Sequence, residues 1–161
     1  MELIIPGKPI HKNRPRFARR GNFVITYNDQ RAKEDKFLLL VREQFKQPPF
    51  MGPIRLSCGF YMPIPESTSK KKRQAMICEV IRPEKKPDLS NLIKFVEDCL
   101  NETVWGDDKQ IVSYGAMEKF YSEEPRTVIR IERLPAFIQE ISHPSVKRIE
   151  RDGLSDMGRG D

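Results

Sequence analysis

Two periodicities run along this chain. Residues 2–5 form a short apolar run, stopped by Pro6-Gly7, and predict a strand. Residues 8–20 carry Pro9 and Pro15, which lock φ and remove donors, and predict an irregular segment. Gly21-Asn22 predicts a turn into a strand over Phe23–Tyr27. Phe37, Leu40, Val41 and Phe45 recur at near-helical spacing, so a helix is expected from an Asn28 or Asp29 cap to about Phe45, as core packing. Pro53 to Met62 alternates, with Ile54, Leu56, Cys58 and Phe60 on one face. Ser67-Thr68-Ser69 predicts the start of a short helix through about Cys78. After the extended linker 82–87, residues 88–101 show the clearest stripe, Leu89, Leu92, Ile93, Val96 and Leu100. Ser90, Asn91, Lys94 and Asp98 fall opposite that stripe, with Phe95 and Glu97 at its edges. Two alternating strands follow, 110–120 and 126–133, with 121–125 read as a hairpin loop between them. Beyond Pro135 the pattern weakens, and 150–161 reads as a polar, disordered tail.

This order of elements predicts one α+β domain, a small mixed β-sheet with flanking helices, in a chain of 161 residues. No apolar run reaches the roughly 18 residues of a membrane span, and the N-terminus lacks a signal peptide's pattern. The expected location is the cytoplasm. Cys58, Cys78 and Cys99 are odd in number and lack metal-ligand spacing, which argues against a disulfide framework and against zinc. A Cys–His catalytic pair has no support from the placement of His11 and His143.

The net charge of +6 favours polyanions, nucleic acid first. Its distribution sharpens this. Lys8, Lys12, Arg14 and Arg16 sit in the proline-stiffened segment, where a fixed row could match a phosphate backbone; a solvated loop is the alternative. Lys70-Lys71-Lys72-Arg73 is either a solvated helix face or a second phosphate contact. A third reading of the basic surface is an adaptor for an acidic protein.

Candidate chemistry gathers in Lys86-Pro87-Asp88-Leu89-Ser90-Asn91-Leu92-Ile93-Lys94 and in Trp105-Gly106-Asp107-Asp108. Mg²⁺ takes one or two carboxylates plus waters and substrate phosphate, and phosphodiester hydrolysis uses such a metal to activate water. Asp88, Asp107 and Asp108 are suitable ligands, and Lys94 could stabilise charge on the phosphate. Ordinary structural roles compete: Asp88 as an N-cap, Asp107 and Asp108 as turn residues.

These motifs, with Asp98-Cys99-Leu100, Ile5-Pro6-Gly7-Lys8-Pro9 and Arg14-Pro15-Arg16-Phe17, resemble the RusA-like Holliday-junction resolvases, a family often carried by phages and prophages. The resemblance spans about residues 1–134, the expected nuclease domain, and leaves 135–161 as a C-terminal extension, partly disordered. It implies a homodimeric endodeoxyribonuclease that binds branched DNA and resolves four-way junctions in recombination and repair, using Mg²⁺, with Mn²⁺ as the alternative. It further implies Asp88 and Asp108 as metal-binding catalytic acids, Asp107 assisting, and Lys94 as the catalytic lysine.

One position departs from the family pattern. Its second acid falls on Ser90, a neutral and weak ligand. Three explanations stay open: compensation by Asp107, Glu97 or Asp98; junction binding without cleavage; or a substitution introduced at position 90.

Overall fold

The computed structural model describes residues 1–13, 16–20, 23–27 and 30–135. Its elements in chain order are β1 (Glu2–Pro6), β2 (Arg16–Arg20), β3 (Phe23–Tyr27), α1 (Arg31–Gln44), β4 (Ile54–Pro63), α2 (Lys70–Ile77), α3 (Leu89–Leu100), β5 (Ile111–Ser122) and β6 (Arg126–Arg133). A 3₁₀ turn at Asp108–Gln110 leads into β5.

β1, β6, β4 and β5 form one mixed sheet in that order. β4 alternates as predicted, with Ile54, Leu56, Cys58, Phe60 and Met62 buried. It pairs antiparallel with β6, from Ile54↔Arg133 to Tyr61↔Arg126, and parallel with β5, from Ile54↔Ile111 to Pro63↔Ser122. A parallel pair needs a long crossover, and the residues between β4 and β5 supply α2 and α3. α3 thus lies in the connection that closes the sheet.

α1 and α3 meet through Phe37 and Phe95, ring centroids 5.3 Å apart and nearly perpendicular. Leu92, Val96 and Leu100 are buried, as the stripe predicts. Phe95, placed by periodicity at the edge of that stripe, is fully buried because α1 covers that side. Trp105 is buried with them. No helix among the described residues is long and apolar enough to cross a membrane.

Three sequence expectations are corrected. Residues 121–125 do not join a hairpin: β5 and β6 flank β4 on opposite sides, so the connection crosses the end of β4. Period-2 alternation marks a strand but not its neighbour, and β4 has two edges to fill. Segment 8–20 is not irregular throughout, because Arg16–Arg20 pairs antiparallel with Phe23–Tyr27. Both prolines of the segment precede Arg16, the first paired residue, in the sequence. Finally, Gln30 occupies the N-cap position of α1, while Asn28 and Asp29 lie outside the described residues. Gln30 does not cap the helix with its side chain; it accepts from the Asn13 N–H at 2.7 Å and donates to the His11 carbonyl at 2.7 Å. The expected extension from 136 to 161, with its disordered tail, also lies outside the described residues.

Candidate active site

α3 carries most of the candidate chemistry. Asp88 is its N-cap, with extended backbone at φ −70°, ψ 143°, yet its carboxylate makes no capping hydrogen bond. The structural role that competes for this acid is therefore not taken up, and the exposed carboxylate stands at the positive end of the helix dipole. Ser90 and Lys94 follow on the exposed side. They are four residues apart, one above the other on the helix.

The Trp105-Gly106-Asp107-Asp108 turn brings its acids in from the other direction. Trp105 is wholly buried, and its indole N–H donates to Asp108 Oδ1 at 3.0 Å. A rigid core residue thus aims the acid. Asp108 Oδ2 lies 4.0 Å from Lys94 Nζ, so the turn and the helix meet at the lysine. Asp107 is used differently. It caps the 3₁₀ turn, accepting from the Lys109 N–H at 2.9 Å, and pairs with the Lys109 ammonium at 3.0 Å. The Lys109 N–H holds its carboxyl below the usual range.

Gln110 completes this capping box. Its side chain accepts from the Gly106 and Asp107 N–H groups and donates to the Phe50 and Gly52 carbonyls. Gln110→Ala removes all four bonds and is expected to destabilise the fold by about 2 kcal/mol, measured by urea denaturation.

Behind Lys94 runs a chain of ion pairs. Lys94 Nζ sits 2.8 Å from Asp98 Oδ1, Asp98 Oδ2 is 2.9 Å from Lys12 Nζ, and Lys12 reaches Glu34 at 3.1 Å. The hydrogen bond that Lys94 donates to Asp98 raises the lysine's pKa, so this ammonium stays charged well into alkaline solution. Burial alone would raise the Asp98 carboxyl, but Lys94 and Lys12 outweigh it and hold it below the usual range. The pairing is thus present at neutral pH and is lost on the acid side as Asp98 takes up a proton and on the alkaline side as Lys94 gives one up. Asp98→Asn is expected to lower the Lys94 pKa, read by NMR titration of its side chain, because Lys94 loses the partner that raises it.

Glu97 is a buried carboxylate that sequence reading placed only at the edge of a stripe. It accepts a hydrogen bond from the Tyr114 hydroxyl of β5, and this pairing pushes the phenol up to about 12. No spacing rule links residues 97 and 114; the pair exists because α3 crosses β5. Burial raises the thiols of Cys58 and Cys99 to about 12, which leaves both protonated and unfit as nucleophiles at neutral pH.

The basic positions fall apart into different settings. Lys8 is exposed, Lys12 is held by Glu34 and Asp98, and Arg73 pairs with Glu123 at 2.9 Å. Lys70, Lys71 and Lys72 are exposed on α2. Arg14 lies outside the described residues, and Arg16 is described only as backbone in β2.

The family model of the endodeoxyribonuclease RusA matches residues 6–132, most of the chain. The chain belongs to the RusA endodeoxyribonuclease family. The RusA match includes α3, the Trp105 turn and the basic N-terminal segment. A relative from Bacillus subtilis (strain 168), the uncharacterized protein YqaN, is 34% identical over 140 residues, 84% of this chain and 98% of its own length. The small α+β architecture, a mixed four-stranded sheet with three helices, agrees with membership of the RusA family.

Proposed function

We propose that this chain is a divalent-metal-dependent, structure-selective endonuclease that acts as a homodimer on four-way DNA junctions in recombination and repair. The observation that carries this reading is the meeting of Asp108 and Lys94, held by a buried tryptophan and a salt-bridged aspartate, on the helix whose head is Asp88 with its carboxylate free of the cap. Residues 1–134 form the working unit, and the cytoplasm is its place of action. A two-fold dimer would present two identical sites to opposed strands of a junction.

Asp88 and Asp108 would hold the metal. Two carboxylates suit Mg²⁺, which keeps waters and takes substrate phosphate for its other positions; Mn²⁺ fits the same donors. Among the described residues no group of three or more His, Cys, Asp or Glu side chains is arranged to hold a metal, so substrate oxygens and water would complete the set. When bound, such a metal supplies an activated water and neutralises phosphate charge. Lys94, fixed as an ammonium by Asp98, binds the scissile phosphate and stabilises charge growing on it, and does not serve as a base.

A second reading, junction binding without turnover, is favoured by one observation. Each acid that could replace the missing carboxylate at Ser90 is engaged: Asp107 in its cap, Glu97 with Tyr114, Asp98 with two lysines. A labelled four-way junction incubated with Mg²⁺ or Mn²⁺ separates the two. Paired nicks near the branch point support the nuclease. Tight, salt-dependent junction binding with no cleavage at any metal concentration would leave only the binder.

A further inference from the structure

A cleft of about 410 Å³ lies between residues 5–11 and α1. Its size falls within the roughly 300–1,000 Å³ of small-ligand sites. The floor is apolar, with Ile5 and Phe37 each only 3% exposed and Leu40 beside them. The rim carries Lys8, Lys33 and Lys36, and among the described residues no acidic side chain lines the cleft. Among the described residues none of these three lysines has a carboxylate within ion-pair distance. An apolar floor under unmatched ammonium groups suits a ligand with a flat organic part and an anionic part.

The walls are held in place. Gly7 N–H donates to the Pro125 carbonyl at 2.9 Å, and Gln30 ties the His11 carbonyl and the Asn13 N–H to the head of α1. The same segment then reaches the catalytic helix. Lys12 N–H donates to the Asn91 carbonyl at 2.8 Å, in the first turn of α3, and the Lys12 ammonium joins Asp98 behind Lys94. The segment that walls the cleft therefore also contacts α3.

We propose that this cleft receives one unpaired nucleotide of the DNA substrate, its base on the Ile5, Phe37 and Leu40 floor and its neighbouring phosphates on Lys8, Lys33 and Lys36. The inference rests on the nuclease reading and deepens it. Stacked duplex would meet the lysines but leave the floor empty, because its bases are turned inward. A branch point supplies nucleotides whose unstacking is cheapest. The sequence hid this role, because α1 reads only as core packing.

The test uses the full chain in EDTA with two probes: a four-way junction bearing 2-aminopurine at each branch-point position in turn, and a short oligo-dT. Parent, Lys33→Gln/Lys36→Gln and Arg42→Gln are compared, Arg42 being an exposed cation on α1 outside the cleft. One branch position should change fluorescence on binding the parent and lose that change in the double variant. The slope of log affinity against log salt for oligo-dT should become shallower by about 1.4 in the double variant, at roughly 0.7 per phosphate for single strands. Arg42→Gln should shift it by less than half as much. An unchanged oligo-dT slope, or displacement of oligo-dT by oligo-glutamate at equal charge concentration, overturns the cleft proposal. If the parent does not prefer junctions to linear duplex, yet the oligo-dT slope falls as stated, the cleft stands and the junction reading fails.

Discussion

Asp108→Asn is expected to reduce junction cleavage by at least about a hundredfold while leaving the fold intact. The reasoning starts from the turn. Asparagine keeps a side-chain oxygen for the Trp105 indole N–H, so the 3.0 Å bond that anchors the residue survives. What disappears is one negative charge facing Lys94 at 4.0 Å and one of the two carboxylates assigned to the metal. Residues that merely support metal ligands cost roughly ten- to a hundredfold when changed, so loss of a direct ligand should cost no less. Thermal denaturation of the variant should match the parent, and junction binding in EDTA should be equal or slightly tighter, because a charge that repels phosphate is gone. Cleavage retained within a few-fold of the parent would remove Asp108 from the metal site. A variant that loses cleavage and melts at much lower temperature would instead assign the residue to the support of the turn.

The parts of this site that were legible in the sequence are those written in local periods. α3 announces itself through Leu92, Val96 and Leu100, and the same period places Ser90, Lys94 and Asp98 away from the core. The glycine-aspartate turn after Trp105 is legible for the same local reason, and the structure divides its two acids, Asp107 to the cap and Asp108 to the lysine. What was not legible depends on elements far apart in sequence. Lys12 meets Asp98 across 86 positions, and the same aspartate holds Lys94. Tyr114 meets Glu97 because a helix crosses an edge strand, and no pattern in either element encodes that crossing. The placement of β6 between β1 and β4 was equally hidden, since strands joined by a three-residue connection ordinarily pair with each other. Lys33 and Lys36 are a milder case: α1 shows its apolar face in the sequence, and only the neighbouring segment makes its polar face a wall.

Ser90→Asp is expected to raise divalent-metal affinity about tenfold or more and to raise cleavage at low Mg²⁺ by a similar factor. Position 90 is exposed in the first turn of α3, two residues from Asp88 and one turn before Lys94. A carboxylate there would share the positive end of the helix dipole and add a hard oxygen donor where serine offers only a hydroxyl. No other acid in the described site is free to take its place, because Asp107, Glu97 and Asp98 each already hold a partner. The gain should be largest when Mg²⁺ is scarce and should shrink as Mg²⁺ saturates the parent, since the substitution acts on binding before it acts on turnover. Metal affinity is read directly by calorimetric titration with Mn²⁺, apart from any cleavage assay. If affinity rises while cleavage stays absent, the chain binds junctions and fails at chemistry for a reason other than the missing acid. If neither changes, the site is organised around serine, and one of the engaged acids must leave its partner to reach the metal when DNA is bound.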